Sequence, residues 1–338
     1  MLDLLKALCT LPGVSGAEDA VRDYILERAM GSANEISTDP MGNVLVFKKG
    51  RSPAPQRLLL CAHMDEVGLM VTYIEEKGYL KFAFVGGIDR RVVIGKRVCF
   101  QNGVSGVIGQ RAVHQLSPEE KKKVPKPDDL CIDIGVSCKE EAEALVQIGD
   151  TAWFDSTPVS FGSGCFKARA IDDRAGCAVL LRLLAEDLPV DCRFAFTVQE
   201  EVGCRGAAIA ASRIKPELAL VLEGTTAADL PEVPEHKRIC APGKGVVLPF
   251  MDHGTIYDKG LQKRLAQLAD AHGIPWQTKR YVAGGTDASS IQRSGVGVRT
   301  AALAVPVRNI HTPACVIHEK DFEHMYTLTR LFLEDLAR

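Results

Sequence analysis

The stretch Asp191-Cys-Arg-Phe-Ala-Phe-Thr-Val-Gln-Glu-Glu-Val-Gly-Cys-Arg-Gly-Ala207 decides the fold of this chain. Its first half alternates large apolar residues with smaller or more polar ones, which is the period of a β-strand. The strand ends at Glu200 and Glu201, and glycines then lead into a helix. Two adjacent acids at a strand end need a partner, because a carboxylate near a core is costly to desolvate. The alternatives are a solvated pair of acids, or a metal centre in which one carboxylate binds the ion and the other acts on water.

Length and composition describe an ordinary globular protein. The chain has 338 residues, of which 46% are hydrophobic and 25% charged, so it has room for two domains or for one large α/β domain with an insertion. The formal net charge of -2 argues against nucleic acid and against an anionic membrane as partners. No apolar run reaches the length of a membrane span, the first residues do not predict a signal peptide, and the eleven cysteines are scattered without a CxxC pair. We therefore expect reduced thiols and a cytoplasmic location.

A second strand end also carries a side chain that could bind a metal. The apolar run 57–62 predicts a buried strand, and His63 and Asp65 follow it. In an extended chain, residues i and i+2 share a face, so Asp65 can orient or polarise the imidazole of His63. A lone histidine at a strand end is more often structural, but the neighbouring acid favours a functional site.

Further candidates follow along the chain. Asp172 and Asp173 directly precede an apolar helix, where capping needs only one acid, so Asp172 is the candidate ligand and Asp173 the structural acid. A buried strand over 216–222 ends in Glu223, and His311 lies in the loop beyond the final strand that the pattern predicts. A rival histidine, His318, is better explained as a capping or surface residue.

The segment 67–157 has a different pattern, in which short β-type runs alternate with glycine-rich turns. This predicts a small β-rich domain inserted into the α/β chain. The catalytic α/β domain would then consist of residues 1–66 and 158–338. Within the insertion, the polar and proline-containing stretch 117–129 predicts an exposed loop.

The candidate ligands lie at or just beyond the ends of strands in one α/β sheet, where open sheets bind ligands. Two imidazoles and three carboxylates suit a pair of zinc-like divalent ions without any cysteine. Asp172 is the best bridge between the ions, and Glu200 remains free as general base, which is the two-metal pattern of aminopeptidases. The five candidate ligands are His63, Asp172, Glu201, Glu223 and His311.

Five motifs, in this order, resemble those of the tetrahedral aminopeptidases, which are the glutamyl or deblocking aminopeptidases of metallopeptidase family 42 in clan MH. The motifs are Ala62–Gly68 (AHMDEVG), Ile171–Gly176 (IDDRAG), Gln199–Gly203 (QEEVG), Gly285–Ala288 (GTDA) and Ile310–Pro313 (IHTP). The resemblance covers essentially the whole chain. It implies a mixed central sheet flanked by helices, of the dizinc exopeptidase type, with an inserted β-barrel or PDZ-like domain.

The resemblance also implies a role for each candidate. One metal would be bound by His63, Asp172 and Glu223, and the other by Asp172, Glu201 and His311. Glu200 would be the base, Asp65 would orient His63, and the peptide bond after Asp172 would be cis. Zinc is the expected metal, with cobalt and manganese as alternatives. One departure concerns Glu223, since many members have Asp there, which puts metal affinity at that position in doubt.

The implied reaction is hydrolysis of N-terminal residues from peptides by a water bridging two metals, with Glu200 transferring the proton. The inserted domain would pair subunits into dimers, and six dimers would form a tetrahedral homododecamer. A dizinc carboxypeptidase, or an amidohydrolase-type deacylase of related fold, stays open as an alternative. An endoglucanase is less favoured, because adjacent acids cannot flank one glycosidic bond and the two histidines would have no role. A non-catalytic scaffold would not need a complete set of ligands and base.

Overall fold

The computed structural model describes all 338 residues, with seventeen strands and nine α-helices. The strands are β1 (Glu35–Thr38), β2 (Val44–Lys48), β3 (Leu58–His63), β4 (Gly68–Ile74), β5 (Leu80–Val85), β6 (Arg97–Phe100), β7 (Ser105–Gln110), β8 (Leu130–Asp133), β9 (Thr151–Phe154), β10 (Val159–Phe161), β11 (Cys165–Ala168), β12 (Cys192–Thr197), β13 (Leu218–Thr226), β14 (Val246–Leu248), β15 (Trp276–Thr278), β16 (Arg299–Val307) and β17 (Cys315–His318). The helices are α1 (Leu2–Thr10), α2 (Asp19–Ala29), α3 (Pro118–Lys121), α4 (Lys139–Glu143), α5 (Ile171–Leu184), α6 (Arg205–Ile214), α7 (Lys259–Ala271), α8 (Ala288–Gln292) and α9 (Glu319–Leu336).

An eight-stranded mixed sheet lies at the centre, in the order β1-β2-β12-β3-β13-β16-β14-β15. The four strands β12, β3, β13 and β16 are parallel, and β2 and β14 flank them in the antiparallel sense. Every residue of β3 is buried, as its continuous apolar run predicted. Leu58 and Leu60 of β3 pack into the larger core with α1, α5 and α9, whereas Leu59 and Cys61 pack on the other face with α6 and α8. Helices therefore cover both faces, and the expected mixed α/β fold is confirmed.

The register of the parallel strands brings their carboxyl ends to one edge of the sheet. Thr197 at the end of β12 pairs with His63 at the end of β3, and Val221 of β13 pairs with Cys61. Glu223 thus lies two residues further along β13. The prediction that this strand ends in Glu223 was wrong, because pairing with β16 continues through Thr226.

The segment between Gly68 and Phe154 contains a closed six-stranded barrel in the order β4-β5-β8-β7-β6-β9. Its strands pair in the antiparallel sense around a separate cluster of 15 buried apolar residues. The predicted β-rich segment is therefore a barrel-like sheet. Inside the stretch predicted as a loop, Pro118–Lys121 forms one helical turn, since Ser117 and Glu120 form a capping box around it.

A strand that the sequence pattern did not predict, β17, follows β16. It pairs with β11, which pairs with β10, in a separate three-stranded antiparallel sheet. His318 ends this strand, and its Nδ1 accepts a hydrogen bond from the Lys320 amide in the first turn of α9. Its predicted capping role is therefore correct. None of the nine helices combines the length and the apolar character that a membrane span requires.

Candidate metal centre

Two histidines face the two oxygens of one buried aspartate at the edge where the parallel strands end. His63 Nε2 lies 3.4 Å from Asp172 Oδ1, and His311 Nε2 lies 3.6 Å from Asp172 Oδ2. A second carboxylate accompanies each imidazole. Glu223 Oε2 lies 3.7 Å from His63 Nε2, and Glu201 Oε1 lies 3.2 Å from His311 Nε2. The structure therefore brings all five candidate ligands together, in two groups that share Asp172.

Asp172 and Asp173, at the start of α5, make different contacts. Asp173 is fully buried, and its oxygens accept hydrogen bonds from the backbone amides of Gly176 (2.9 Å) and His63 (3.3 Å). Asp173 also lies close enough to His63 and Glu223 to hold an ion with them, but these backbone bonds already occupy its oxygens. Asp172 accepts only one backbone hydrogen bond, from the Gly224 amide to Oδ1 (3.2 Å), and both of its oxygens face the two histidines. The peptide bond between the two aspartates is cis, as the resemblance implied.

A loop of unusual backbone conformation carries His311. Asn309 and His311 adopt left-handed conformations, with φ of 54° and 59°. The ring of His311 is oriented from its other side, because Nδ1 lies 2.7 Å from the carbonyl oxygen of Gly87. Gly87 follows the barrel strand β5, so the barrel contributes an orienting contact to the site. The sequence offers no signal for this contact, since only the fold brings Gly87 to residue 311.

Asp65 connects three parts of the site. Its Oδ1 lies 3.4 Å from His63 Nδ1 and accepts a hydrogen bond of 2.9 Å from the Glu200 amide. Its Oδ2 accepts hydrogen bonds from the Ser15 hydroxyl (2.6 Å) and from the Glu201 amide (3.1 Å). Asp65 therefore holds the backbone of both glutamates in addition to facing His63. This second role was missed, because it depends on the pairing of β3 with β12.

Glu200 lies between the centre and the adjoining cavity without taking a place among the five ligands. Its Oε2 lies 3.9 Å from His63 Nε2, and its Oε1 accepts a hydrogen bond of 3.3 Å from the Cys204 thiol. Burial raises the pKa of Glu200, the nearby imidazole of His63 lowers it, and the carboxylate of Asp287 raises it, with a net pKa of about 8. A carboxyl group with a pKa near neutrality can both accept and return a proton at physiological pH.

Asp287 is a buried acid that the sequence analysis passed over. It is fully buried, its Oδ2 accepts a hydrogen bond of 2.5 Å from the Thr197 hydroxyl, and its Oδ1 has no partner. It lies in one cluster with Glu200 and Cys204. The motif GTDA contained the signal, but we considered only the backbone of that turn.

The buried carboxylates of the candidate centre are not all paired. Glu223 Oε1 is buried without a hydrogen-bond partner, and burial raises the pKa of this carboxyl well above its ordinary value. Burial alone would lower the pKa of His311, but the facing carboxylates of Asp172 and Glu201 raise it to about 11. The cluster thus attracts positive charge, which either protons or metal ions can supply. Imidazoles and carboxylates in this proportion are a donor set that suits zinc and similar divalent ions.

The candidate centre opens into a cavity of about 360 Å³. The end at the candidate centre is acidic, and much of the remaining wall comes from β13, β16, Pro249 just after β14, and the loop 283–286. Hydroxyl groups of Thr226, Tyr257 and Thr286 line this wall, together with Lys279, which is its only lysine or arginine. A cavity of this kind beside a cluster of metal-type ligands is the arrangement of an active site.

Comparison with known proteins decides the family. The family model described as M42 glutamyl aminopeptidase matches residues 42–328. The chain belongs to the M42 peptidase family. Members of this family are hydrolases that act on peptide bonds, and the resemblance of the five motifs is thereby confirmed.

Relatives of this M42 peptidase bear aminopeptidase names. It is 39% identical to a putative aminopeptidase of Acetivibrio thermocellus, over 93% of this chain and 92% of the relative. It is 32% identical to the lysyl aminopeptidase of Pyrococcus furiosus, over 99% and 97% of the two chains. Among solved structures, the TET1 peptidase of Pyrococcus horikoshii superposes with a TM-score of 0.86 at 33% identity, over 98% of each chain, and that protein can assemble into a tetrahedron or a large octahedral shell.

Proposed function

We propose that this M42 peptidase is a two-metal aminopeptidase that removes N-terminal residues from peptides. The observation that carries the proposal is the position of Asp172, whose two oxygens face two separate histidine–carboxylate pairs. A carboxylate shared between two such groups can bridge a pair of divalent cations, as a two-metal site would use it. The aminopeptidase names of the relatives agree with this assignment.

The residues present fit two cations. One would be held by His63, Asp172 and Glu223, and the other by Asp172, Glu201 and His311. The buried, unpartnered Oε1 of Glu223 supports a cation on its side of the site. When bound, the cations lower the pKa of water and polarise the carbonyl of the scissile bond. Zinc is the proposed metal, with cobalt and manganese as alternatives, because the same donors suit all three.

Glu200 has the position and the chemistry of the general base. Its backbone is held by Asp65, and its carboxyl group faces the cavity beside His63. We propose that it takes a proton from the attacking water and passes that proton to the departing amine. Asp65 is a positioning residue, because it acts on His63, Glu200 and Glu201 and lines no part of the cavity.

Other reactions fit the site less well. A dizinc carboxypeptidase or a deacylase could use the same ligands, but the relatives are named as aminopeptidases, which favours that activity. An endoglucanase needs two carboxyl groups on opposite sides of one glycosidic bond. Glu200 and Glu201 are adjacent in the chain, and Glu201 lies 3.2 Å from His311, which that reaction would not use.

The proposal also covers the assembly of subunits and the cellular compartment. We propose that the PDZ-like barrel segment, as part of an inserted domain over 67–157, pairs subunits into dimers that build a tetrahedral dodecamer. Exposed apolar side chains on this segment support an interface, among them Val113 and Ile148, which are 63% and 65% exposed. All eleven cysteines are free, which agrees with a reducing compartment such as the cytoplasm.

The test of the proposal separates metal binding from turnover. Glu200→Ala should keep its metal and lose most of its turnover of an aminoacyl-anilide, whereas Asp172→Ala should lose both. Metal content by elemental analysis and kcat on the same samples distinguish the two effects. Glu27→Ala, at an exposed position of α2, is the control and should behave like the wild type. Near-normal turnover of Glu200→Ala would show that Glu200 is not the base.

A further inference from the structure

The cavity beside the metal centre contains a fixed cation that the reaction above does not use. Lys279 follows β15 and is only 6% exposed, yet it lines the cavity. Its ammonium group donates a hydrogen bond of 2.5 Å to the carbonyl oxygen of Ala283. An ammonium group has three N–H donors, so this single protein acceptor leaves donors available to a ligand.

No carboxylate of the chain forms an ion pair with Lys279. Among nearby acids, Asp252 attracts its charge most strongly, although burial still lowers the pKa of Lys279 overall. Asp252 is occupied, since it accepts hydrogen bonds from the amides of Gly254 and Thr255 and from the hydroxyl of Tyr257. A buried ammonium group without a carboxylate partner is costly. A ligand with a negative charge would offset this cost.

The carboxylates at the metal end of the cavity also attract the charge of Lys279, but they are the proposed metal ligands and base. Four carboxylates line that end, and two divalent cations bound there would bring four positive charges to them. The ammonium group of Lys279 would then be a positive charge that no carboxylate of the cavity offsets. The four acids are Asp172, Glu200, Glu201 and Glu223.

We infer that Lys279 binds a carboxylate of the substrate, and that this is the side-chain carboxylate of an N-terminal glutamate or aspartate. The inference rests on the proposed aminopeptidase function, in which the N-terminal residue occupies the cavity next to the scissile bond. Hydroxyl groups of Thr226 and Thr286 line the same wall and can add hydrogen bonds, and Gly284 and Gly285 leave room for a side chain. Family membership leaves the preference open, since the matching model is described as glutamyl and a relative as lysyl.

The same carboxylate chemistry has a second source, which is the C-terminal carboxylate of a peptide in a carboxypeptidase reaction. The two sources are distinguished by substrates that contain only one of them. Aminoacyl-p-nitroanilides of Glu, Asp, Gln, Leu and Lys have no C-terminal carboxylate. N-acetylated dipeptides have a C-terminal carboxylate and no free amine.

The experiment compares zinc-loaded wild type with Lys279→Met, Lys279→Glu and Lys279→Arg on these substrates. Lys263→Met, at an exposed position of α7, is the control. We expect the wild type to prefer Glu-anilide to Gln-anilide. Lys279→Met should lower kcat/KM for Glu-anilide about 10- to 100-fold, mainly through KM, because one charge-assisted hydrogen bond is lost. Gln-anilide should change little, and Lys279→Glu should shift the preference to Lys-anilide.

A binding measurement gives a second readout that does not depend on turnover. In calorimetric titrations, free glutamate should bind the wild type more tightly than glutamine does, and Lys279→Met should abolish the difference. Thermal melting and zinc content identify a variant that fails to fold. In that case the inference about Lys279 is tested by Lys279→Arg, which keeps the charge, and by the preferences of the wild type for substrates and for free amino acids.

The possible failures are distinguishable. A wild type that cleaves Leu- or Lys-anilide best, and binds glutamate no better than glutamine, would overturn the inference about Lys279 and leave the aminopeptidase assignment intact. Cleavage of N-acetylated dipeptides alone would overturn the proposed function as well as the assignment of the carboxylate to an N-terminal side chain.

Discussion

Replacing Asp65 with asparagine tests how the two glutamates of the centre are held. Oδ1 of Asp65 accepts a hydrogen bond from the Glu200 amide, and Oδ2 accepts one from the Glu201 amide. Asparagine has one carbonyl oxygen and one NH2 group. In either orientation, one of the two backbone amides would therefore face the NH2 group, donor against donor. Rotating the side chain only exchanges the amide that is left without an acceptor.

The size of the effect follows from these contacts. Losing a hydrogen bond to a buried carboxylate, and leaving a backbone donor unsatisfied, costs about 2–4 kcal/mol. If this cost is relieved by movement of the turn that carries Glu200 and Glu201, kcat should fall about 30- to 1000-fold, at 1.36 kcal/mol for each tenfold change. Metal binding should weaken as well, because Glu201 is a proposed ligand and Asp65 also faces His63.

Asp321 provides a matched control in another part of the fold. It is buried, and its two oxygens accept hydrogen bonds from the amides of Gly243 (2.5 Å) and Gly245 (2.8 Å). Asp321→Asn should lower the melting temperature as Asp65→Asn does but should change kcat by no more than about twofold. Melting temperature, zinc content and kcat on one anilide substrate are measured for both variants. The reasoning is refuted if Asp65→Asn retains wild-type kcat, or if the two variants lower kcat equally.

Three further predictions concern the same centre and its surroundings. Gly224→Ala should weaken metal binding about 10- to 100-fold, as measured by chelator competition, because the new Cβ would lie 2.9 Å from Asp172 Cγ and displace that carboxylate. Glu223→Gln should raise the melting temperature of the metal-free protein, because it removes a carboxyl whose pKa is raised by burial. It should also reduce the further rise in melting temperature that zinc produces. A lower melting temperature without metal would contradict this. Burial raises the pKa of Glu18 from 4.5 to about 7, so between these pH values Glu18 binds more protons in the folded chain than in the unfolded chain. Its contribution to the free energy of unfolding should therefore fall by up to about 3 kcal/mol as pH rises through this range. Urea unfolding at pH 5 and pH 7.5 should show a smaller fall for Glu18→Gln, and an unchanged fall would contradict the prediction.

The sequence was most informative where the local pattern and the fold agree. The apolar run before His63 predicted a central buried strand, and β3 is buried along its whole length. Alternating short strands predicted a β-rich segment, and a closed barrel is present there. Apolar periodicity determines which face of an element is buried, so such features can be inferred without coordinates.

Features that depend on long-range pairing could not be inferred in the same way. β13 continues past Glu223 because β16 pairs with it there, and nothing near residue 223 indicates this. The contacts of Gly87 with His311 and of Ser15 with Asp65 join residues 224 and 50 positions apart, respectively. The buried ammonium group of Lys279 belongs to the same class, since its place in the cavity depends on how the chain folds back beyond β15.

Metal dependence of exopeptidase activity is the most direct test of the central claim. The chelated enzyme is assayed on aminoacyl-anilides and on N-acetylated controls, before and after zinc is added back in measured amounts. We expect no cleavage after chelation, and recovery on free-amine substrates alone that reaches its plateau at about two zinc ions per chain. Cleavage that survives chelation, or that appears only on N-acetylated or carbohydrate substrates, would contradict the assignment of this centre to a two-metal aminopeptidase.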